Sequence, residues 1–153
     1  MYSIEQLSMI TGLTTRTLRN YLKSELLKGS KETGAWQFTE EQVSEFMTHP
    51  AVRPSIQAKR HAIVYDFLAD QDQAENELCI LLHRTMGKAE AGTIADFFCG
   101  QAEKLNHVRF SYAYEAGKAR YILKGAEAEI GRVMAEFYRQ TFFWSADGGK
   151  DAG

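Results

Sequence analysis

At 153 residues, with 44% apolar and 25% charged residues, the chain has the size and composition of one ordinary folded domain or two small ones. No run approaches the ~20 apolar residues that span a bilayer, and the opening MYSIEQLSMI lacks the basic start and apolar stretch of a secretory signal, so no membrane association is expected. The formal charge of −2 divides unevenly: residues 1–60 hold eight Lys and Arg against six Asp and Glu, the remainder ten against fourteen, so only the front suits a polyanion.

The first predicted helix starts at Ser3, an N-cap residue followed by Glu5 and Gln6, and carries Ile4, Leu7 and Ile10 on one face. Gly12 ends it, where a left-handed residue is wanted. Thr14 or Thr15 caps a second helix whose Leu18, Tyr21 and Leu22 form a buried side, while Arg16, Arg19, Asn20 and Lys23 form the other. Two short helices joined by a glycine-containing turn are the pattern of a helix-turn-helix. The segment KGSKETGAWQF is too polar and glycine-rich for helix; Gly29 and Gly34 bracket a turn, and Trp36 and Phe38 alternate with Ala35 and Gln37 as in a short strand, a small wing. Thr39 and Gln42 then fit a capping box for a third helix with Val43, Phe46 and Met47 toward the core.

Over residues 1–48, YSIEQLSMITGLTTRTLRNYLKSELLKGS followed by GAWQFTEEQVSEF resembles the DNA-binding domain of MerR-type transcriptional regulators. The most specific stretch is TGLTTRTLRNYLKSELL. The resemblance implies that the second helix lies in the major groove of double-stranded DNA and that the wing touches the neighbouring backbone. It implies a groove-facing set of Thr15, Arg16, Arg19, Asn20 and Lys23, with Tyr21 contacting DNA or packing under the helix. Lys28, Lys31 and Trp36 would sit on the wing. Asn20 stands where the family carries a tyrosine, and the wing is shorter and less basic than the family's.

Both prolines, Pro50 and Pro54, fall in THPAVRPS, and residues 49–55 read as a linker between the front module and a back module at 56–144. The back module opens with a helix over Ser55–Asp70. The carboxylates Asp70, Asp72, Glu75 and Glu77 form a polar loop before ELCILLHRTM, a buried strand. A helix follows from Lys88 to Leu105, then a hairpin with the turn EAGK, then a helix from Ala126 to Arg139. The fold class is therefore α+β: a winged helix-turn-helix followed by a small β-α-β-β-α domain, with helices over one face of a three-stranded sheet. The apolar TFFW at 141–144 must be covered by something, and residues 145–153 read as a flexible tail.

No catalytic constellation, phosphate loop or metal site appears, and no cofactor is expected. Cys79 and Cys99 have neither disulfide-framework nor zinc-site spacing; they read as structural thiols in a cytoplasmic protein. A three-stranded sheet with bare edges is completed economically by a second copy, so a homodimer is expected. Tyr112, Tyr114 and Tyr121 are either a pocket for an apolar or aromatic effector or ordinary core. Three functions follow: a transcriptional regulator whose homodimer binds an inverted repeat, with a small-molecule effector; an architectural or excisionase-like DNA-binding protein without a ligand switch; or an enzyme or sensor whose front module is a tether. A void among the three tyrosines favours the first and a filled core the second, while the third needs a deep pocket with an acid-base pair.

Overall fold

A computed structural model describes residues 1–69 and 76–140. Asp70, Asp72 and Glu75, the TFFW run and the tail at 145–153 lie outside the described residues. In chain order the elements are β1 (Tyr2–Ser3), α1 (Ile4–Thr11), α2 (Thr15–Lys23), β2 (Gln37–Phe38), α3 (Glu40–Thr48) and α4 (Arg53–Leu68), then β3 (Glu77–Thr85), α5 (Lys88–Glu103), β4 (Arg109–Glu115), β5 (Lys118–Ala126) and α6 (Glu127–Arg139).

Local signals set the front boundaries. Ser3 Oγ accepts from Gln6 N at 3.1 Å while Gln6 Oε1 accepts from Ser3 N at 2.9 Å, a reciprocal cap that starts α1. The same pair recurs between Thr39 and Gln42 at 3.1 and 3.0 Å and starts α3. Strands β1 and β2 pair antiparallel, Tyr2 opposite Phe38 and Ser3 opposite Gln37, closing the front module on Leu7, Ile10, Leu18, Leu27, Phe38 and Phe46, all buried.

Helix α4 begins at Arg53, two residues before the expected start. Pro54 stands in its first turn, where the missing N–H has no helical partner to lose. Within the expected linker, His49 O accepts from Val52 N and Arg53 N at 2.9 and 2.8 Å, and the Val52 side chain is buried.

The sheet is antiparallel with order β3-β5-β4. Side-chain alternation gives one face to Leu78, Ile80 and Leu82 of β3, Ala119, Tyr121 and Leu123 of β5, and Phe110, Tyr112 and Tyr114 of β4. Helices α5 and α6 cover this face through Phe98 and Phe137, with Phe98 5.9 Å from Phe110, 5.5 Å from Tyr121 and 5.0 Å from Phe137 between ring centroids. The two helices of the β-α-β-β-α unit thus share one face as expected, and α4, which precedes that unit, lies across the other. Arg53 bonds Glu115 at 3.0 Å and Arg109 bonds Asp66 at 2.8 Å, so α4 runs antiparallel to β4. The helical rise over those 13 steps, about 20 Å, matches the rise of six strand steps, also about 20 Å. Ile122 and Lys124 on that face are consequently buried, with Lys124 Nζ 3.9 Å from Glu77.

The two sheet edges differ. Helix α1 of the front module packs beside β4, and one continuous buried cluster runs from Tyr2 and Leu7 through Ile56 to Phe98 and Phe137. Among the described residues nothing pairs with the outer edge of β3, where Leu81 is 53% exposed.

Candidate nucleic-acid interface

The turn before α2 is held by Gly12 at φ +77°, which a side chain would disfavour, and by proximity: a Cβ there would lie 2.8 Å from Lys59 Cβ. Leu13 plugs the turn into the core, and Thr11 Oγ1 accepts from Leu13 N at 3.1 Å. Thr14 is the cap, its Oγ1 accepting from Thr17 N at 3.1 Å. Leu18, fully buried, anchors the inner side of α2. At about 100° per residue, Arg16, Arg19, Asn20 and Lys23 then fall within an arc of about 100° on the far side, and all four are exposed. Among the described residues, none of the three cations has an acidic partner within 4 Å.

Thr15 is half-buried in the first turn, beside that arc. Tyr21 packs under the helix, edge-on to Phe46 with centroids 5.4 Å apart. Its carbonyl accepts from Leu26 N and Leu27 N at 3.0 and 3.1 Å, and Glu25 turns the chain at φ +63° toward the wing.

The wing is one bridge long: Ser30 pairs with Gln37, with N–O distances of 2.9 and 2.8 Å, around a turn closed by Gly34 N donating to Lys31 O at 3.0 Å. Gly34 is at φ +87°. Trp36 stacks on buried Phe38 with centroids 6.4 Å apart, and Lys31 Nζ lies 5.7 Å over the Trp36 ring. The wing cation is thereby held on an aromatic platform. Lys28 is exposed at the rim of a recess that also includes Glu25, Gln42 and His49.

The three tyrosines that read from sequence as either an effector pocket or ordinary core come together in packed surroundings. Tyr112 and Tyr121 are 2% and 0% exposed and stack with centroids 5.2 Å apart. Tyr121 Oη donates to Ala91 O at 2.8 Å, and the half-buried Tyr114 donates to Met86 O at 2.9 Å. Tyr112 Oη reaches across to the front module and bonds Glu40 Oε1 at 3.3 Å.

Glu40, the first residue of α3, is the junction that sequence reading missed. Burial raises its carboxyl above the ordinary Glu value, against the opposing influence of the Tyr2 and then the Tyr112 hydroxyl. Gly92 of α5 leaves room for it, since a Cβ there would come 2.8 Å from Glu40 Oε2. The Tyr2 hydroxyl is buried beside the same carboxylate, and burial and then the Glu40 charge hold that phenol protonated. In the sequence Glu40 reads as a first-turn carboxylate favoured by the helix dipole. Only the fold shows that it faces the back domain.

Burial raises the thiols of both Cys79 and Cys99 away from the reactive thiolate form. Among the described residues no group of three His, Cys, Asp or Glu is placed to hold a metal, and no helix is long and apolar enough to cross a membrane.

Residues 2–48 match the family described as MerR HTH family regulatory protein, so the N-terminal module is a MerR-type helix-turn-helix of the kind carried by DNA-binding transcriptional regulators. Neither the curated proteins nor the solved structures give a match to this chain.

Proposed function

We propose, from the premise of a MerR-type front module, that this chain is a cytoplasmic transcriptional regulator that binds an inverted repeat of duplex DNA as a homodimer. The observation that carries the reading is the unpaired cationic arc of α2. Three cations and Asn20 stand on one side of a short helix whose opposite side is locked by Leu18. Guanidinium groups read guanine edges and asparagine reads adenine, while Lys and the helix N-terminus meet phosphates. Thr15 flanks the arc, Tyr21 packs beneath the helix, and Lys28, Lys31 and Trp36 supply backbone contact from the wing side.

The homodimer rests on the outer edge of β3, which nothing among the described residues pairs. Nine residues with neither Pro nor Gly would template association with other chains unless covered. Antiparallel self-pairing about Leu81 sets Ile80 against Leu82 and Glu77 against Thr85, with no like charges opposed. Two helix-turn-helix modules related by such a two-fold axis would suit a palindrome.

A reading without a ligand switch is favoured by one observation, the filled packing of Tyr112 and Tyr121. An apolar or aromatic effector at these rings would have to displace core contacts.

Fluorescence anisotropy on duplex from the upstream region, across a salt series, tests the DNA reading, with sedimentation giving the stoichiometry. Arg16→Ala and Arg19→Ala should each weaken binding by about 1–3 kcal/mol where a base contact is lost. Unchanged affinity in both folded variants removes α2 from the interface, and equal affinity for every duplex removes sequence-specific regulation in favour of the architectural reading.

A further inference from the structure

Helix α4 crosses the sheet beside the helix-turn-helix and leaves a recess of about 300 Å³ between α1, α4 and β4. Its polar lining comes from Ser8 and Thr11 of α1, Lys59 and Arg60 of α4, and Arg109 and Ser111 of β4. Three of these are cations. Arg109 is already paired with Asp66 at 2.8 Å, but Lys59 and Arg60 have no acidic partner within 4 Å among the described residues. The Nε of Arg60 is buried and donates to nothing among the described residues. An unsatisfied guanidinium donor is costly to bury, so the recess wall carries an uncompensated positive group.

The surroundings sharpen the imbalance. Arg53 and Arg120 act repulsively on Arg60, and the nearby Glu115 is bonded to Arg53 at 3.0 Å. Burial, then Arg120, lowers the Arg60 guanidinium below its ordinary value, with Glu115 acting the other way. Of the hydroxyls lining the recess, Ser8 and Thr11 already donate to Leu13 O and Leu7 O at 2.6 and 2.8 Å, and the buried Ser111 stands on the sheet wall.

We infer that this recess is a binding site for a small anion carrying a phosphate or carboxylate group, held by Lys59 and Arg60 with the Ser111 hydroxyl opposite. A concave recess of this size takes one compact anionic group, whereas the phosphates of a duplex follow a convex backbone that would meet α2 and the wing first. The walls belong to both modules, Ser8 to Gly12 on one side and the sheet on the other, so an occupant ties the helix-turn-helix to the back domain. Control of DNA affinity by that occupant rests on the proposed DNA binding; the binding itself does not.

Isothermal titration of the full chain with inorganic phosphate and with citrate, at ionic strength held constant with chloride, tests the site without DNA. The expected result is saturable one-site binding of at least one probe. Its Kd should weaken by about tenfold or more in Lys59→Gln and in Arg60→Gln, the loss of one charge-assisted contact each. Lys59 is exposed, so its variant keeps the test decisive if the Arg60 variant fails to fold. Absence of saturable binding by both probes up to about 10 mM overturns the site, as does unchanged affinity in the folded variants. Loss of DNA affinity in Lys59→Gln, with neither probe bound by the parent chain, overturns it too and assigns the cations to the duplex backbone.

Discussion

Phe98→Ala would show whether the front and back modules fold as one unit. Phe98 is fully buried at the hub of an aromatic cluster, with Phe97, Phe110, Tyr121 and Phe137 at centroid distances of 5.4, 5.9, 5.5 and 5.0 Å. Removing a buried phenyl ring costs about 3–5 kcal/mol through lost transfer energy and the cavity left behind. Four ring contacts from two helices and two strands hinder collapse of the site and place the cost toward the upper end. For a chain of this length that lowers Tm by about 6–20 °C. The buried cluster continues from Phe98 to Tyr2 and Leu7, and Glu40 is bonded to Tyr112, so the loss should propagate to the helix-turn-helix. The assay is thermal unfolding in a Trp144→Phe background, followed by far-UV circular dichroism and by the fluorescence of Trp36 on the wing. Both signals should move together to the lower midpoint. A Trp36 transition that stays at the parental midpoint while the helical signal falls would refute the shared core and make residues 1–48 an independently folding domain.

Gly29→Ala should damage the wing. A Cβ there would meet the Phe38 ring at 2.5 Å and Gln37 O at 2.9 Å, an overpacking cost of about 1–3 kcal/mol that a urea midpoint would show; an unchanged midpoint would mean that the wing can move aside freely. Glu40→Gln should flatten the dependence of stability on pH. Because the folded Glu40 carboxyl titrates above its ordinary value of 4.5, the folded state holds a proton that the unfolded chain has released. Stability therefore falls as pH rises from the ordinary Glu range through the raised folded value, and this loss is absent in Gln. Urea midpoints measured across pH 4–8 check it, and parallel profiles for the two proteins would contradict the burial of that carboxylate.

The elements of the front module were legible because their signals are local. Ser3 with Gln6 and Thr39 with Gln42 are caps read three residues apart, and Gly12 marks a left-handed stop that the backbone adopts. Periodicity placed β3, α5, the hairpin and α6 within a few residues, since a strand alternates and a helix repeats at 3.6 whatever it packs against. The arc of α2 was legible for the same reason: a buried Leu18 fixes which residues point away.

What the sequence hid depends on which element faces which. Tyr112, Tyr114 and Tyr121 alternate along a hairpin, a pattern equally consistent with a pocket wall and a filled core. The choice falls to α5, whose Phe98 fills the space beside Tyr121. Glu40 and Tyr112 are 72 residues apart, and neither carries a local sign of the other. The position of α4 was hidden in the same way, since its weak apolar stripe of Ile56 and Ile63 fits any neighbour. Two ion pairs set its direction, Arg53 with Glu115 and Asp66 with Arg109. Exposed pairs of this kind contribute little energy each, yet at opposite ends of one helix they specify orientation. By aligning α4 with β4 they also bring Lys59 and Arg60 against the helix-turn-helix, so the recess is a product of tertiary register that no window of the sequence contains.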